Sequence, residues 1–330
     1  MKRPTIKDIA TRAGVSKGAV SLALNGRPGV SDATRERVLS VASSLGYRPS
    51  STARALSSAS ADAVGLVLAR PARTLGAESF FFQLIAGIQA ELSMALLLQV
   101  VDSHEAEIEL YRRWWAEHRV DGVFLVDLRV DDPRVPLVES LGLPAVVVGG
   151  AGHHGNLTSV WADDAKAMTS VVSYLLSLGH KRIARVAGLP SLLHTARRDA
   201  AFQAAAPGGV IVSADYTDER GAAATRELLT GAQRPTAIVY DNDVMAVAGA
   251  GVAAELGVAV PAELSIVAFD DSPLCRLIHP PLTALTRDTF AFGARAARAL
   301  LAVLSGARPT DTEDTTPVLV PRASTAQISS

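Results

Sequence analysis

From residue 63 onward, short uninterrupted runs of valine, isoleucine and leucine alternate with stretches of helical periodicity. A strand that is apolar at every position is buried on both faces, which happens when parallel strands are joined by helices that cover the sheet. Eight such strands exceed one small domain, so the pattern predicts an α/β body of two subdomains with parallel sheets. The predicted strands are 63–68, 96–101, 123–126, 145–148, 182–187, 210–213, 237–240 and 265–269. The predicted helices are 81–93, 106–117, 164–178, 218–229 and 243–256.

The first 60 residues differ from this body in charge. They contain ten lysines and arginines against three acidic residues, a balance of +7 in a chain of net charge −1, so the other 270 residues carry −8. A basic head on an acidic body indicates a head that binds a polyanion. An ordinary solvated surface is the alternative, and charge alone does not choose between the two.

Local capping patterns predict the first helix of this head. Thr5 and Asp8 have the spacing of a capping box, in which each residue bonds the backbone of the other. A helix is therefore expected to begin at Ile6. Gly14 is expected to end it, because glycine readily adopts the left-handed conformation that closes a helix.

The same logic predicts two further helices. Ser16 is a suitable cap for a helix over 17–24, and Ser31 for a third helix that Gly46 ends. Two short helices joined by a turn that contains glycine form a helix-turn-helix. A generic three-helix bundle is the alternative, but the basic charge and the small polar residues that open the second helix favour DNA binding.

Short motifs in the head carry a family resemblance. They are TIKDIA from Thr5, AGVS from Ala13, LNG from Leu24 and LGYRP from Leu45. Together they resemble the head of the lactose-repressor/galactose-repressor family of bacterial transcription regulators. In that family the second helix lies in the major groove of DNA, so the resemblance implies a set of DNA-contacting residues. These are Thr5, Ser16, Lys17, Gly18, Ala19, Ser21, Asn25, Ser31, Thr34, Tyr47, Arg48, Arg54 and Leu56.

Two residues of the second helix depart from the family pattern. Ala19 stands where threonine is usual, and Leu22 where arginine is common. An arginine side chain makes strong contacts with bases or phosphates, and leucine removes them. The operator sequence therefore cannot be transferred from relatives.

Residues 50–61 are expected to form a hinge helix and a linker after the third helix, which Pro49 prevents from continuing. The resemblance implies that two such helices pair over the centre of the operator. Leu56 would then wedge into the minor groove and kink it, with Arg54 at phosphate or the minor groove. A contact between Leu56 and the body is the alternative, which the serines and Arg54 around it disfavour.

Polar residues follow the predicted strands at the ends where open parallel sheets bind ligands. Arg198, Asn242 and Asp270 lie shortly after the strands that end at residues 187, 240 and 269. We expect them to converge on a cleft, where such side chains can hydrogen-bond neighbouring hydroxyl or amide groups of a ligand. Helix capping is the alternative for polar residues at strand ends, but it does not account for Arg198.

The family resemblance extends loosely over this body, although Glu78-Ser79 stands where Asn-Pro is usual and Ala201 where glycine is usual. It implies that a small effector binds in the cleft. One of the implied residues, Asp163, fits the cap of a helix equally well. The implied effector-binding residues are Phe80, Trp161, Asp163, Arg198, Asn242 and Asp270.

Motifs that would indicate an enzyme are either absent from this sequence or stand in the wrong structural context. The G-x-G-x-x-A form at Gly249 starts well after the preceding strand, so it is expected in mid-helix as a packing motif. The sequence has no Walker loop, no G-x-S-x-G elbow and no H-E-x-x-H. His153-His154 is expected in a solvated turn and Cys275 as an ordinary small residue. We therefore expect no catalytic residues, no cofactor and no metal.

These features predict a cytoplasmic repressor that binds an inverted-repeat DNA operator as a homodimer and responds to a small polar effector, a sugar. The longest apolar run has 11 residues, too few to span a membrane. A solute-binding receptor and an enzyme with a fused head are the alternatives. The expected domains are the head at 1–49, the hinge at 50–61 and the body at 62–330. Within the body, the expected N-subdomain is 62–178 plus 290–317, and the C-subdomain is 179–289 plus 318–330.

Overall fold

The computed structural model describes residues 4–47, 60–71 and 78–328. The chain divides into two compact units, residues 1–61 and 62–330. In the first unit, Ile9, Val20 and Val38 form a core without solvent exposure, one residue from each helix. These helices are α1 (Ile6–Ala13), α2 (Lys17–Leu24) and α3 (Asp32–Ser44).

The caps predicted for the head are confirmed. The Asp8 carboxylate accepts hydrogen bonds from both the backbone N–H and the hydroxyl of Thr5, which fixes the start of α1. Ser16 and Ser31 accept from backbone N–H groups in the first turns of α2 and α3. Gly14 has φ +65°, the left-handed conformation that ends α1.

The second unit contains two six-stranded sheets, built mostly from buried, β-branched runs. The first has the order β11-β5-β4-β3-β1-β2 with all pairs parallel. The second has the order β12-β10-β9-β8-β6-β7, parallel except for β10 with β12. The strands are β1 (Ala63–Leu68), β2 (Ala95–Val100), β3 (Gly122–Leu125), β4 (Ala145–Val148), β5 (Thr158–Trp161), β6 (Ile183–Ala187), β7 (Val210–Ser213), β8 (Ala237–Tyr240), β9 (Ser265–Ala268), β10 (Thr283–Thr286), β11 (Thr312–Glu313) and β12 (Val318–Val320).

Helices connect the parallel strands and cover both sheets. Apolar residues on their inner faces join the side chains of the strands in four clusters, two for each sheet. These helices are α4 (Ser79–Glu91), α5 (His104–Ala116), α6 (Arg134–Leu141), α7 (Asp164–Ser177), α8 (Leu193–Ala205), α9 (Asp218–Thr230), α10 (Asp243–Glu255), α11 (Pro273–Leu277) and α12 (Thr289–Leu304).

The structure confirms the α/β body with two parallel sheets, and each predicted strand lies within one residue of an observed one. Sequence analysis assigned neither the four strands β5, β10, β11 and β12 nor the helices α6, α8, α11 and α12. The missed strands are two to four residues long; β5, β10 and β11 contain threonine or other polar residues that interrupt an apolar run, and β12 is apolar but only three residues long.

The structure places α7 with the second sheet, whereas the expected N-subdomain boundary at residue 178 placed this helix with the first. Met168, Val171 and Leu175 on α7 are fully buried in the same cluster as Ile183 of β6 and Phe202 of α8. The long apolar face of α7 therefore packs against the second sheet.

Two glycines allow α4 and α12 to pack with their backbones in contact. A Cβ atom added at Gly87 would collide with the carbonyl oxygen of Phe290, and one added at Gly293 with that of Leu84. Neither collision can be relieved by rotating a side chain, because backbone atoms are involved. The close approach of these helices therefore requires glycine at both positions.

We expect Gly87→Ala to destabilise the protein by about 1–3 kcal/mol, because the added methyl group forces two helices apart. Gly251→Ala is the matched control, since it lies in α10 and a Cβ there meets no neighbouring atom. That variant is expected to gain roughly 0.5–1 kcal/mol from the better helix propensity of alanine. Urea unfolding measures both, and equal effects of the two substitutions would contradict the close packing of α4 and α12.

Candidate functional site

The carboxyl ends of strands from both sheets face one cavity. It is lined by Arg70, Phe80 and Asp127 from the part of the chain that forms the first sheet, and by Arg198 and Asp270 from the part that forms the second. The cavity has a volume of about 970 Å³, including the part open to solvent. A concave site lined by aromatic side chains and a few convergent polar groups is typical of small-molecule binding.

Arg198, on α8, is held by charged partners within this cavity. Its guanidinium donates to Asp241 at 2.8 Å and lies 3.3 Å from the Asp164 carboxylate. It also lies over the Phe269 ring, 3.7 Å from the ring centroid. Burial alone would lower the pKa of Arg198, but Asp164 and Asp241 hold it well above the usual range. Arg198 is therefore a fixed cation at the wall of the cavity, as its predicted role requires.

Asp241 directly follows β8 and has no exposed side-chain surface. Besides Arg198, its carboxylate accepts hydrogen bonds from Arg185 at 3.1 Å, the Gly188 N–H at 2.9 Å and the Tyr216 hydroxyl at 3.2 Å. Although burial raises the pKa of Asp241, the two arginines keep it well below its usual range. Asp241 is an ionised anchor that sequence analysis missed. Like Asn242, it follows a parallel strand at the end where open sheets bind ligands, a criterion called here the strand-end rule.

Asn242 lines the cavity, but protein groups occupy its amide. The oxygen caps α10 by accepting from the Met245 N–H at 2.9 Å. The nitrogen donates to the Tyr216 carbonyl at 3.0 Å and to Glu78 at 3.3 Å. The capping alternative is therefore confirmed for Asn242, and its contact with an effector stays a prediction.

Asp270 follows β9 and lies 3.6 Å from the guanidinium of Arg287. Burial raises the pKa of Asp270 to about 6, against the opposing effects of Arg287 and Arg198. Arg287 also lies over the ring of Phe80, 4.7 Å from its centroid. Phe80, Arg198, Asn242 and Asp270 are thus brought together at one cavity.

The structure does not place Trp161 and Asp163 on the cavity wall. The residues of this segment that line it are Ala162 and Asp164. The Asp163 carboxylate instead accepts from the Lys166 N–H at 2.9 Å and caps α7, as the alternative interpretation held. Trp161 is the last residue of β5 and is half-buried.

An ion-pair cluster that sequence analysis missed forms the opposite wall. Arg70, shortly after β1, donates to Asp127 at 2.6 Å and to Glu78 at 3.3 Å. Its guanidinium lies 4.5 Å from the centroid of the Tyr216 ring. Burial raises the pKa of Glu78 to about 7, and Arg70 opposes that rise. The strand-end rule could have found Arg70, Asp127 and Tyr216, which follow β1, β3 and β7, whereas Glu78 directly precedes α4.

His194 is a neutral member of the cavity wall. Burial and the nearby charge of Arg198 together lower its pKa to about 4. Its Nε2 atom lies 2.8 Å from the Tyr216 hydroxyl. The imidazole therefore contributes hydrogen bonding but no positive charge at neutral pH.

In the head, α2 presents an exposed polar surface. Ser16, Lys17, Gly18 and Asn25 are exposed, and Ala19 and Ser21 are half-buried. The Ser16 oxygen accepts from the Ala19 N–H at 3.1 Å, which leaves its hydroxyl proton free to donate. Thr5 and Ser31 are exposed at their caps, and Thr34 and Tyr47 are half-buried. Arg48, Arg54 and Leu56, and with them residues 50–59 of the hinge, lie outside the described residues.

Gly249 lies inside α10, where an added Cβ would collide with the Tyr240 hydroxyl, so its predicted role in packing is confirmed. Cys275 is buried, and burial raises the pKa of its thiol to about 12. His154 pairs with Asp311 at 3.0 Å.

Across residues 4–47, 60–71 and 78–328, no group of three metal-ligating side chains occurs. In the same ranges no helix has the length and apolarity to cross a membrane.

Comparisons with known proteins agree with this architecture. Residues 5–50 match the model for bacterial regulatory proteins of the lacI family, and residues 172–325 match that for a periplasmic binding protein-like domain. The transcriptional regulator CelR of Thermobifida fusca is 31% identical over 317 residues, with 92% of this chain and 93% of that protein covered. A solved complex of CelR with cellobiose is 30% identical, covers 98% of this chain and all of that one, and has a TM-score of 0.74.

A structure of the lac repressor dimer bound to operator has a TM-score of 0.86 and is 24% identical. The match covers 98% of this chain and 100% of that one. At that identity the likeness concerns the fold. A helix-turn-helix head on a binding-protein-like body defines a DNA-binding transcription regulator and not an enzyme. The chain belongs to the lacI family of bacterial regulatory proteins.

The raised pKa of Glu78 predicts a pH-dependent effect of Glu78→Gln on stability. Between pH 4.5, the ordinary pKa, and about pH 7, the folded chain retains a proton that the unfolded chain has released. The contribution of Glu78 to the free energy of unfolding therefore falls as the pH rises through this interval. Glutamine does not titrate, so the Tm of Glu78→Gln minus that of the wild type is expected to increase from pH 4.5 to 7. Calorimetry at several pH values tests this, and a constant difference would contradict it.

Proposed function

We propose that this chain is a cytoplasmic repressor that binds an inverted-repeat operator as a homodimer and releases or retains it according to a sugar bound in the body. The observation that carries the sensing role is the cavity where Arg198, Asp164 and Asp270 meet Phe80 and Arg70. These groups come from segments that build two different sheets. A ligand that contacts both sets therefore binds most tightly when the two sheets approach each other.

The chemistry of the cavity fits a polyhydroxylated ligand. Carboxylate and guanidinium groups can each bond two neighbouring hydroxyl groups, and a planar aromatic ring such as Phe80 can pack against the C–H face of a sugar. The solved CelR complex contains cellobiose, which supports a sugar as the ligand of this related chain.

Control of DNA binding follows from linkage between the two sites. A ligand shifts the balance between open and closed bodies only by its difference in affinity for them. If the paired hinges at 50–61 are ordered in one of these states, effector and operator affinities change reciprocally.

The head supports DNA binding through its charge and the exposed face of α2. Lys17 can donate to guanine or to phosphate, and the hydroxyls of Ser16 and Ser21 can donate to phosphate. A single helix of eight residues makes few base contacts, so we propose that two copies share one site by twofold symmetry. Sedimentation that shows a monomer on the operator, or a footprint without twofold symmetry, would contradict the homodimer.

Adjacent carboxylates offer a matched test of the cavity. Asp164→Asn removes the charge that faces Arg198, so sugar affinity is expected to fall about 10- to 100-fold, the value of a hydrogen bond to a charged group. Asp163→Asn is the control, because asparagine can still cap α7 and this residue does not line the cavity. Calorimetric titration with cellobiose and other sugars measures the affinities, and operator binding without sugar is expected to stay unchanged. Equal losses in both variants would contradict the assignment of Asp164.

Lys17→Ala is expected to change base preference at one position of each half-site, because Lys17 is exposed at the start of α2. Lys181→Ala is the control, since it removes the same exposed charge from the body. Selection of operators from random DNA, followed by binding at several salt concentrations, measures both. A Lys17→Ala protein with unchanged preference and unchanged salt dependence would exclude Lys17 from the DNA surface.

Leu56→Ala tests the hinge that the family resemblance implies. Leucine carries no charge, so the salt dependence of binding is expected to stay the same. Loss of the wedge should nevertheless lower operator affinity towards that for random DNA. The salt titration of operator and random DNA measures both effects, and wild-type operator affinity would favour the alternative contact with the body.

A further inference from the structure

Among the described residues, the cavity wall contains more carboxylates than cations. Four guanidinium groups belong to this described wall, those of Arg70, Arg197, Arg198 and Arg287, and His194 is neutral because burial and the charge of Arg198 lower its pKa to about 4. With six carboxylates, the formal balance of the described wall is two negative charges. The carboxylates are those of Glu78, Asp127, Asp164, Asp241, Asp243 and Asp270.

Every one of these guanidinium groups already has a partner in the protein. Arg70 pairs with Asp127 and Glu78, and Arg198 with Asp241 and Asp164, as described above. Arg287 lies near Asp270, and Arg197 donates to the carbonyl oxygen of Ala151. An anionic ligand would therefore have to compete with a carboxylate or a carbonyl oxygen for the charge of each cation, although the Nε–H of Arg198 has no hydrogen-bond partner among the described residues.

The surplus negative charge lies on the second-sheet side of the cavity. Asp243, at the start of α10, is 2% exposed, and no lysine or arginine of the described residues lies within ion-pair distance of it. Asp270 has Arg287 at 3.6 Å, a loose pair. These two carboxylates are acceptors, so a ligand completes their hydrogen bonding only by donating to them.

Building on the proposed sugar-binding function, we propose that the cavity selects sugars that carry no anionic group and excludes sugar phosphates and sugar acids. Each hydroxyl of a neutral sugar has a proton to donate to the surplus carboxylates. A phosphate ester brings about two negative charges and three acceptor oxygens to a site that already has an excess of both.

The state of the carboxylates supports this selection. Burial raises the pKa of Glu78 to about 7, and the charges of Asp127 and Asp270 add to that rise. Burial likewise raises the pKa of Asp270 to about 6, and Asp243 and Asp241 contribute. Burial and the neighbouring carboxylates thus both disfavour negative charge in the cavity before any ligand binds.

The first experiment compares matched pairs of ligands on the full chain. D-glucose is paired with glucose 6-phosphate and D-ribose with ribose 5-phosphate, and cellobiose is added as a neutral disaccharide. Calorimetric titration is done at pH 8 and constant ionic strength, where Glu78 and Asp270 are ionised. We expect each phosphorylated member to bind at least about tenfold more weakly than its neutral parent, or not at all. A phosphate ester that binds more tightly than its parent would overturn the proposal.

The second experiment removes the surplus charge and does not depend on which sugar is the effector. The double variant Asp243→Asn and Asp270→Asn is titrated with glucose 6-phosphate, and its affinity is expected to rise at least about tenfold over the wild type. Asp163→Asn is the control, because it removes a carboxylate outside the cavity wall and is expected to change nothing. Should the double variant fail to fold, each single substitution gives the same test with a smaller gain.

The outcomes separate this proposal from the sugar function on which it rests. If the double variant gains no affinity for glucose 6-phosphate, the charge surplus does not govern selection and the proposal is wrong. If the gain occurs while glucose, ribose and cellobiose all fail to bind the wild type, the exclusion of anions stands and the assignment of these sugars falls.

Discussion

The carboxylate of Asp241 joins the parts of the body on which the site depends. It accepts from Arg185 in the middle of β6, from Arg198 on α8, from the Gly188 N–H and from the Tyr216 hydroxyl. A buried carboxylate is costly unless such partners satisfy it, and removal of one partner of a buried ion pair typically costs about 3–5 kcal/mol. The sheet core, the position of Arg198 and the wall at Tyr216 are therefore fixed together.

The sequence predicts those features of the fold that local physics determines. Caps such as Ser16 and Ser31 act within one helical turn, so the head helices could be located without tertiary information. Central strands such as β8 are buried on both faces and are apolar throughout. Strand β10 begins and ends with threonine, and its burial comes from neighbours distant in the chain, which no local pattern reveals.

The candidate site was predictable in part for the same reason. The strand-end rule located Arg198, Asn242 and Asp270, because the carboxyl ends of parallel strands share one edge. The family resemblance implied Asp163, whereas the adjacent Asp164 lines the cavity and Asp163 caps α7. The link between Glu78 and Asn242 joins residues 164 positions apart, and only the folded chain reveals it.

Several polar residues of the cavity wall, among them Asp127, Asp270 and Arg287, come just after strands, whereas most side chains of the clusters that hold the sheets together lie within the strands and helices. Asp270 can thus be exchanged with little effect on the packing of Ile266 or Val267. At these positions ligand preference can change separately from stability, whereas Phe81, Val148 and Tyr216 belong both to the wall and to the clusters. Gene duplication can diversify what such a protein senses while mutation leaves its scaffold intact, so new regulatory specificities can evolve through steps that each preserve a folded protein.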